Sequence, residues 1–111
     1  MLVSRSSPFG GRSRTLVLLA LSLLEESFPR ELSRILEVPL FGVQQALRRL
    51  EIDGLVAGRS AGRTRLYQLD PRYFARTELR QYLGRVIEPE KELVKRITRL
   101  RKRPRRADKP L

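Results

Sequence analysis

Apolar and polar positions divide this chain into helical stretches around one short hairpin. The run Leu16-Val17-Leu18-Leu19-Ala20-Leu21-Ser22-Leu23-Leu24 carries no charge until Glu25-Glu26. Such a run predicts a helix buried on most of its circumference, reaching about Ser27 and capped by Ser13 or Thr15. A second helix is predicted over residues 29–37, where Pro29 suits the first turn and Glu31 complements the dipole. Leu32, Ile35 and Leu36 give it a single buried face, and Val38-Pro39 ends it. A third helix, over residues 39–53, buries Val43, Ala46, Leu47 and Leu50 and turns Gln44, Gln45, Arg48 and Arg49 the other way. Gly54 fits the left-handed position that closes a helix.

Two β-capable runs follow, Leu55-Val56-Ala57 and residues 63–69, on either side of a loop, Gly58-Arg59-Ser60-Ala61-Gly62. They predict a hairpin that ends at Asp70-Pro71. Beyond it the pattern is helical again to about Arg103. Leu79, Leu83, Val86, Glu90, Leu93, Ile97 and Leu100 form a heptad seam with one polar member. Pro89 predicts a kink there, or two helices with the proline opening the second. The seam has two readings, packing against the first helix or forming a homodimer interface, and its spacing favours the dimer.

Composition narrows the chemistry. The 111 residues include no Cys, no His and no Trp. Disulfides, thiol catalysis, a His general base and Cys/His metal sites are therefore excluded. No nucleophile or phosphate-cradling loop accompanies the carboxylates, so neither an enzyme nor a cofactor or metal site is expected.

Charge supplies a direction. With 24 Lys/Arg against 12 Asp/Glu, the formal net charge is +12, which points to a polyanionic partner. The excess is uneven. Residues 25–58 carry four Arg and six acids, while residues 59–76 carry five Arg and one acid. Residues 93–111 carry nine bases and one acid, a cluster suited to phosphate contact. Arg5, Arg12 and Arg14 before the apolar run mimic a secretory leader. The run is too short to span a bilayer and lacks a small-residue cleavage site, so a cytoplasmic, nucleoid-associated protein without membrane contact is expected.

The order of helices, turn, amphipathic helix and basic hairpin resembles the winged helix-turn-helix superfamily. Glu31-Leu32-Ser33-Arg34-Ile35-Leu36-Glu37-Val38 looks like the first helix of the motif, with Pro39 at the turn. Val43-Gln44-Gln45-Ala46-Leu47-Arg48-Arg49-Leu50-Glu51-Ile52-Asp53-Gly54-Leu55-Val56 looks like the recognition helix and its exit. Gly58 to Leu69, with Arg63-Thr64-Arg65-Leu66-Tyr67, looks like the wing. The resemblance is to small regulators of the ArsR-like group, and it covers about residues 13–75.

That resemblance implies a mainly α fold with a small β-hairpin wing and a C-terminal helical extension. It implies a DNA-binding domain over residues 13–75; composition and spacing add a flexible basic arm over 1–12, a dimerising helix or kinked pair over 76–103 and a disordered basic tail over 104–111. It also implies a sequence-specific transcriptional regulator of double-stranded DNA. Leu40, Phe41, Gly42, Gln44, Gln45, Arg48 and Arg49 would serve the major groove, and Arg59, Arg63 and Arg65 the backbone or minor groove. Two departures stand out. Pro39-Leu40-Phe41-Gly42 replaces the polar first turn of many relatives, and no metal-sensing thiol is present. Leu40 and Phe41 suit thymine methyls or an apolar partner equally. Two rivals therefore remain: a non-specific architectural nucleic-acid binder, and a protein–protein adaptor.

Overall fold

The computed structural model describes residues 8–102. The arm before residue 8 and the tail beyond residue 102 lie outside the described residues. Five helices and one two-stranded antiparallel hairpin make up the fold. In chain order they are α1 (Arg12–Leu24), α2 (Pro29–Leu36), α3 (Leu40–Ile52), β1 (Val56–Ala61), β2 (Thr64–Leu69), α4 (Arg76–Val86) and α5 (Lys91–Lys102).

Helix α1 is the central post. Residues 16–21 are wholly buried, and the helix packs against α2, α3, α4, α5 and the hairpin. A helix apolar all round is stable only when covered on every side, and here the rest of the chain wraps it. No helix among the described residues is long and apolar enough to cross a membrane.

The start of α1 differs from expectation. The helix begins at Arg12 behind Gly11, and neither Ser13 nor Thr15 caps it. The Thr15 hydroxyl is buried and instead donates back to the Gly11 carbonyl at 3.2 Å. Phe9 meets Tyr82 edge-on at 5.7 Å, so the end of the expected arm is tied to α4. The helix also stops earlier than expected. Glu25 turns the chain with φ 73, which releases Ser27 to pair with Tyr67 through two backbone hydrogen bonds of 3.0 and 2.8 Å. That bridge fastens the hairpin to the body.

Helices α2 and α3 are joined by the three residues Glu37, Val38 and Pro39. Glu37 is left-handed at φ 56, and the Ser33 hydroxyl donates to the Val38 carbonyl at 2.6 Å. The Glu37 and Val38 N–H groups both donate to the Ser33 carbonyl, Val38 at 3.3 Å, which gives an end carbonyl of α2 its partners. At the far end of α3, Gly54 takes φ 82. Gly54 N–H donates to Glu51 and Leu55 N–H to Leu50, at 3.1 and 2.9 Å. These are the paired bonds of a Schellman motif, with Leu50 and Leu55 both buried beside them.

The hairpin is longer than the sequence predicts. Residues 58–61 are strand rather than loop, in a register running from Val56↔Leu69 to Ala61↔Thr64. Only Gly62 and Arg63 turn the chain, with Gly62 at φ 64, the glycine-first arrangement of a type II′ connection. Small residues read as loop by composition, but cross-strand hydrogen bonding holds them as strand.

Pro89 divides the C-terminal segment into two helices, as one of the two expectations has it. The proline does not open α5, which starts at Lys91 after a turn closed by Glu90 N–H on Ile87 O at 2.8 Å. The seam lies inward. Leu79, Leu83, Leu93 and Ile97 are no more than 7 % exposed in the single chain, and Val86 and Leu100 pack half-buried on the same core. These side chains are covered by their own chain, so the surface assigned to a dimer interface is part of the monomer's core. Arg96 reinforces the packing. Its guanidinium donates to the Ile35 carbonyl at 2.8 Å and pairs with Glu37 at 3.1 Å and Glu92 at 3.4 Å.

Asp70 secures the exit from the hairpin. Its Oδ1 accepts the Arg72 backbone N–H at 2.8 Å, and the Arg72 guanidinium lies at 3.4 Å. The backbone bond, followed by that side-chain bond, holds the Asp70 carboxyl below its ordinary value of 3.8. A lowered folded-state pKa stabilises the fold above the unfolded value, and the gain is lost as pH falls through the folded value. Asp70→Asn keeps an acceptor but removes the charge. Its thermal midpoint should sit below that of the wild type at pH 7, with the gap narrowing as the pH falls below 3.8. A gap that stays constant from pH 7 to pH 2 contradicts the assignment.

Candidate nucleic-acid interface

The α2–α3 turn and the Schellman end of α3 fix how α3 presents its outer face. Gln44, Gln45, Arg48 and Arg49 are exposed there, opposite buried Val43, Ala46, Leu47 and Leu50. Because Ser27 anchors Tyr67, the hairpin stands beside that face. Between them opens a groove of 490 Å³, bounded by Pro29 and Arg30 at the start of α2, by Leu40, Gln44, Arg48 and Glu51 of α3, and by Arg63, Thr64, Arg65 and Tyr67 of the hairpin.

The groove brings together Leu40, Gln44, Arg48, Arg63 and Arg65 of the expected residues. The others stand outside it. Phe41 is 69 % exposed, whereas Leu40 is half-buried, so the structure separates two neighbours that the sequence treats alike. Gly42 is half-buried, and a Cβ there would lie 3.3 Å from Val38 Cγ1. Its small size serves the close approach of the α2–α3 turn. Gln45 is exposed along the line Phe41, Gln45, Arg48, Ile52, whose last member is 70 % exposed. Arg49 pairs with Asp53 one turn on, at 3.3 Å.

The hairpin arginines divide into two kinds. Arg59 reaches Glu26 at 3.0 Å and Arg65 reaches Glu51 at 2.9 Å. Arg63, at the turn, and Arg48, on α3, form no ion pair among the described residues. Arg65 is held on two sides: its guanidinium also lies 5.7 Å from the centre of the Tyr67 ring. The hydrogen bond that it donates to Glu51 raises its pKa further above an already high value, so it remains charged at any working pH.

Gly58 makes room for that arrangement. A Cβ there would come within 2.7 Å of Arg65 Nε and 2.8 Å of Tyr67 Cε1. Sequence reasoning missed Arg30, Glu51, Gly58 and Tyr67 as parts of this site. Only the pairing Gly58↔Tyr67 across the hairpin gives the signal, and the register follows from the two-residue turn.

No group of His, Cys, Asp or Glu able to hold a metal ion occurs among the described residues. Chemically the groove offers guanidinium donors and one carboxamide along a helix face, an arrangement suited to phosphates and base edges. In comparison with known proteins, no protein-family model matches the chain, and no curated protein matches it.

Proposed function

We propose that this protein is a winged helix-turn-helix DNA-binding protein, acting as a transcriptional regulator on double-stranded DNA. One observation carries the reading. The polar outer face of α3 and the arginines of the hairpin border the same groove. An exposed helix face with amide and guanidinium groups is what a major groove reads, and a basic hairpin beside it suits the flanking backbone. The three-residue turn between α2 and α3 has the length of a helix-turn-helix connection. On this reading α3 is the recognition helix, the hairpin is the wing, and the C-terminal bases attract DNA without regard to sequence.

Homodimerisation remains part of the proposal, since paired half-sites suit two-fold symmetry. It has to use a surface other than the buried seam. The rival adaptor reading draws support from Phe41 and Ile52, two exposed apolar residues at opposite ends of α3.

Selection from a random duplex library, read at two salt concentrations, tests the choice. A regulator enriches one motif that survives the higher salt. An architectural binder enriches none and loses affinity uniformly. Failure to retain any duplex at low salt leaves the adaptor reading.

A further inference from the structure

Two carboxylates of the helical body are directed at wing arginines. Glu26, in the α1–α2 connection, takes Arg59 of β1, and Glu51, on the last turn of α3, takes Arg65 of β2. Arg65 is further fixed by the Tyr67 ring and by the room that Gly58 leaves. Glu51 borders the groove together with Arg48 and Arg63, so it stands where a phosphate bound by these arginines would approach.

From this arrangement we propose that Glu51, with Glu26 in support, is an internal competitor for phosphate: it occupies a wing arginine in the free protein and must yield it before a backbone phosphate takes its place. The proposal rests on the DNA-binding reading above. Both ion pairs are solvent-exposed, and pairs of that kind are weak because water and salt screen them. A polyanion therefore displaces the carboxylate at small cost, and that cost falls on every duplex alike. Only a site that also satisfies Gln44 and Arg48 on α3 recovers it through base contacts. Random sequence bears the penalty without the return. The internal carboxylates thus lower the affinity for every duplex by the same factor, and base contacts on α3 are left to lift a selected site above that weakened background.

Fluorescence anisotropy on a random-sequence duplex between 50 and 200 mM salt tests this, using the full chain. Glu51→Gln should tighten random-duplex binding by up to about fivefold, the worth of one exposed ion pair. The logarithmic salt slope should stay that of the wild type, because Arg65 reaches phosphate in both complexes. The double variant E51Q/R65A should lose the gain and flatten the slope by about 0.9, because Arg65 is what makes the contact. Glu26→Gln, which frees Arg59 on the other strand, should act in the same direction and serves if E51Q folds poorly. Arg63→Ala, which removes an unpaired arginine, is the control for DNA binding itself.

If Arg63→Ala weakens binding while E51Q and E26Q leave affinity unchanged, the carboxylate role is overturned and the DNA-binding reading stands. If the wild type binds no duplex even at 50 mM salt, the DNA-binding reading fails and this proposal fails with it.

Discussion

Replacing Leu93 with alanine should lower the unfolding free energy by about 2–5 kcal/mol, the usual range for emptying a filled leucine site. Leu93 is wholly buried where α5 packs on the core, and no neighbouring chain is needed to cover it. The loss is large against the 5–15 kcal/mol expected for a domain of this size. It should also be the same at every protein concentration. Were the seam a dimer interface, the midpoint would shift with concentration, because association would contribute to stability by mass action. Urea denaturation at two concentrations a hundredfold apart separates these outcomes. A concentration-dependent midpoint for the wild type, abolished by Leu93→Ala, would restore the seam to a dimer. Arg96→Ala should act in the same direction by freeing α5 from the Ile35 carbonyl and Glu37.

The second large effect concerns the groove. Arg48→Ala should cost about 1–3 kcal/mol on a selected DNA site and distinctly less on random duplex, provided its guanidinium reads a base. Arg48 has no ion pair to give up among the described residues, so nothing inside the protein offsets the loss. Arg49→Ala should be milder, since Arg49 is already held by Asp53. Arg63→Ala should weaken selected and random duplexes alike, as a backbone contact does, and reduce the salt slope by about 1. Titrations of both duplexes with each variant decide it. Equal losses for Arg48→Ala on selected and random DNA would assign that residue to the backbone and favour the architectural reading.

Much of the fold was legible because it is written in local periodicity. Leu32, Ile35 and Leu36 on α2, and Val43, Ala46, Leu47 and Leu50 on α3, are the buried faces their spacing predicts. Pro29 and Gly54 marked a helix start and a helix end through backbone restrictions that no tertiary contact needs to supply. The misreadings fall where the deciding contact is distant in sequence. Ser27 continues no helix because Tyr67, forty residues on, takes its backbone groups. Gly58 and Ala61 are strand because of partners on β2. The heptad seam carried too little information, since its spacing says that a helix face is apolar and nothing about which chain covers it. Helix α1, apolar on every side, needed several neighbours, and α4 and α5 are among them.

The sequence by itself determined the helices of the first half, the existence of the hairpin, the exclusion of thiol and imidazole chemistry, and the side of α3 that faces outward. Each of these depends on residue type or on spacing within a few positions. Only the tertiary structure decided that the C-terminal seam is core, that Leu40 and Phe41 differ, and that two of the three hairpin arginines, Arg59 and Arg65, are already engaged. Those facts depend on which side chains meet across the fold. Glu51 and Arg65 are fourteen residues apart, and their meeting requires the Gly54 helix end, the two-residue turn and the Ser27 anchor together. No local pattern encodes that coincidence. A count of charges places Glu51 among the residues that reduce the protein's positive field, whereas the folded chain shows which arginine it restrains.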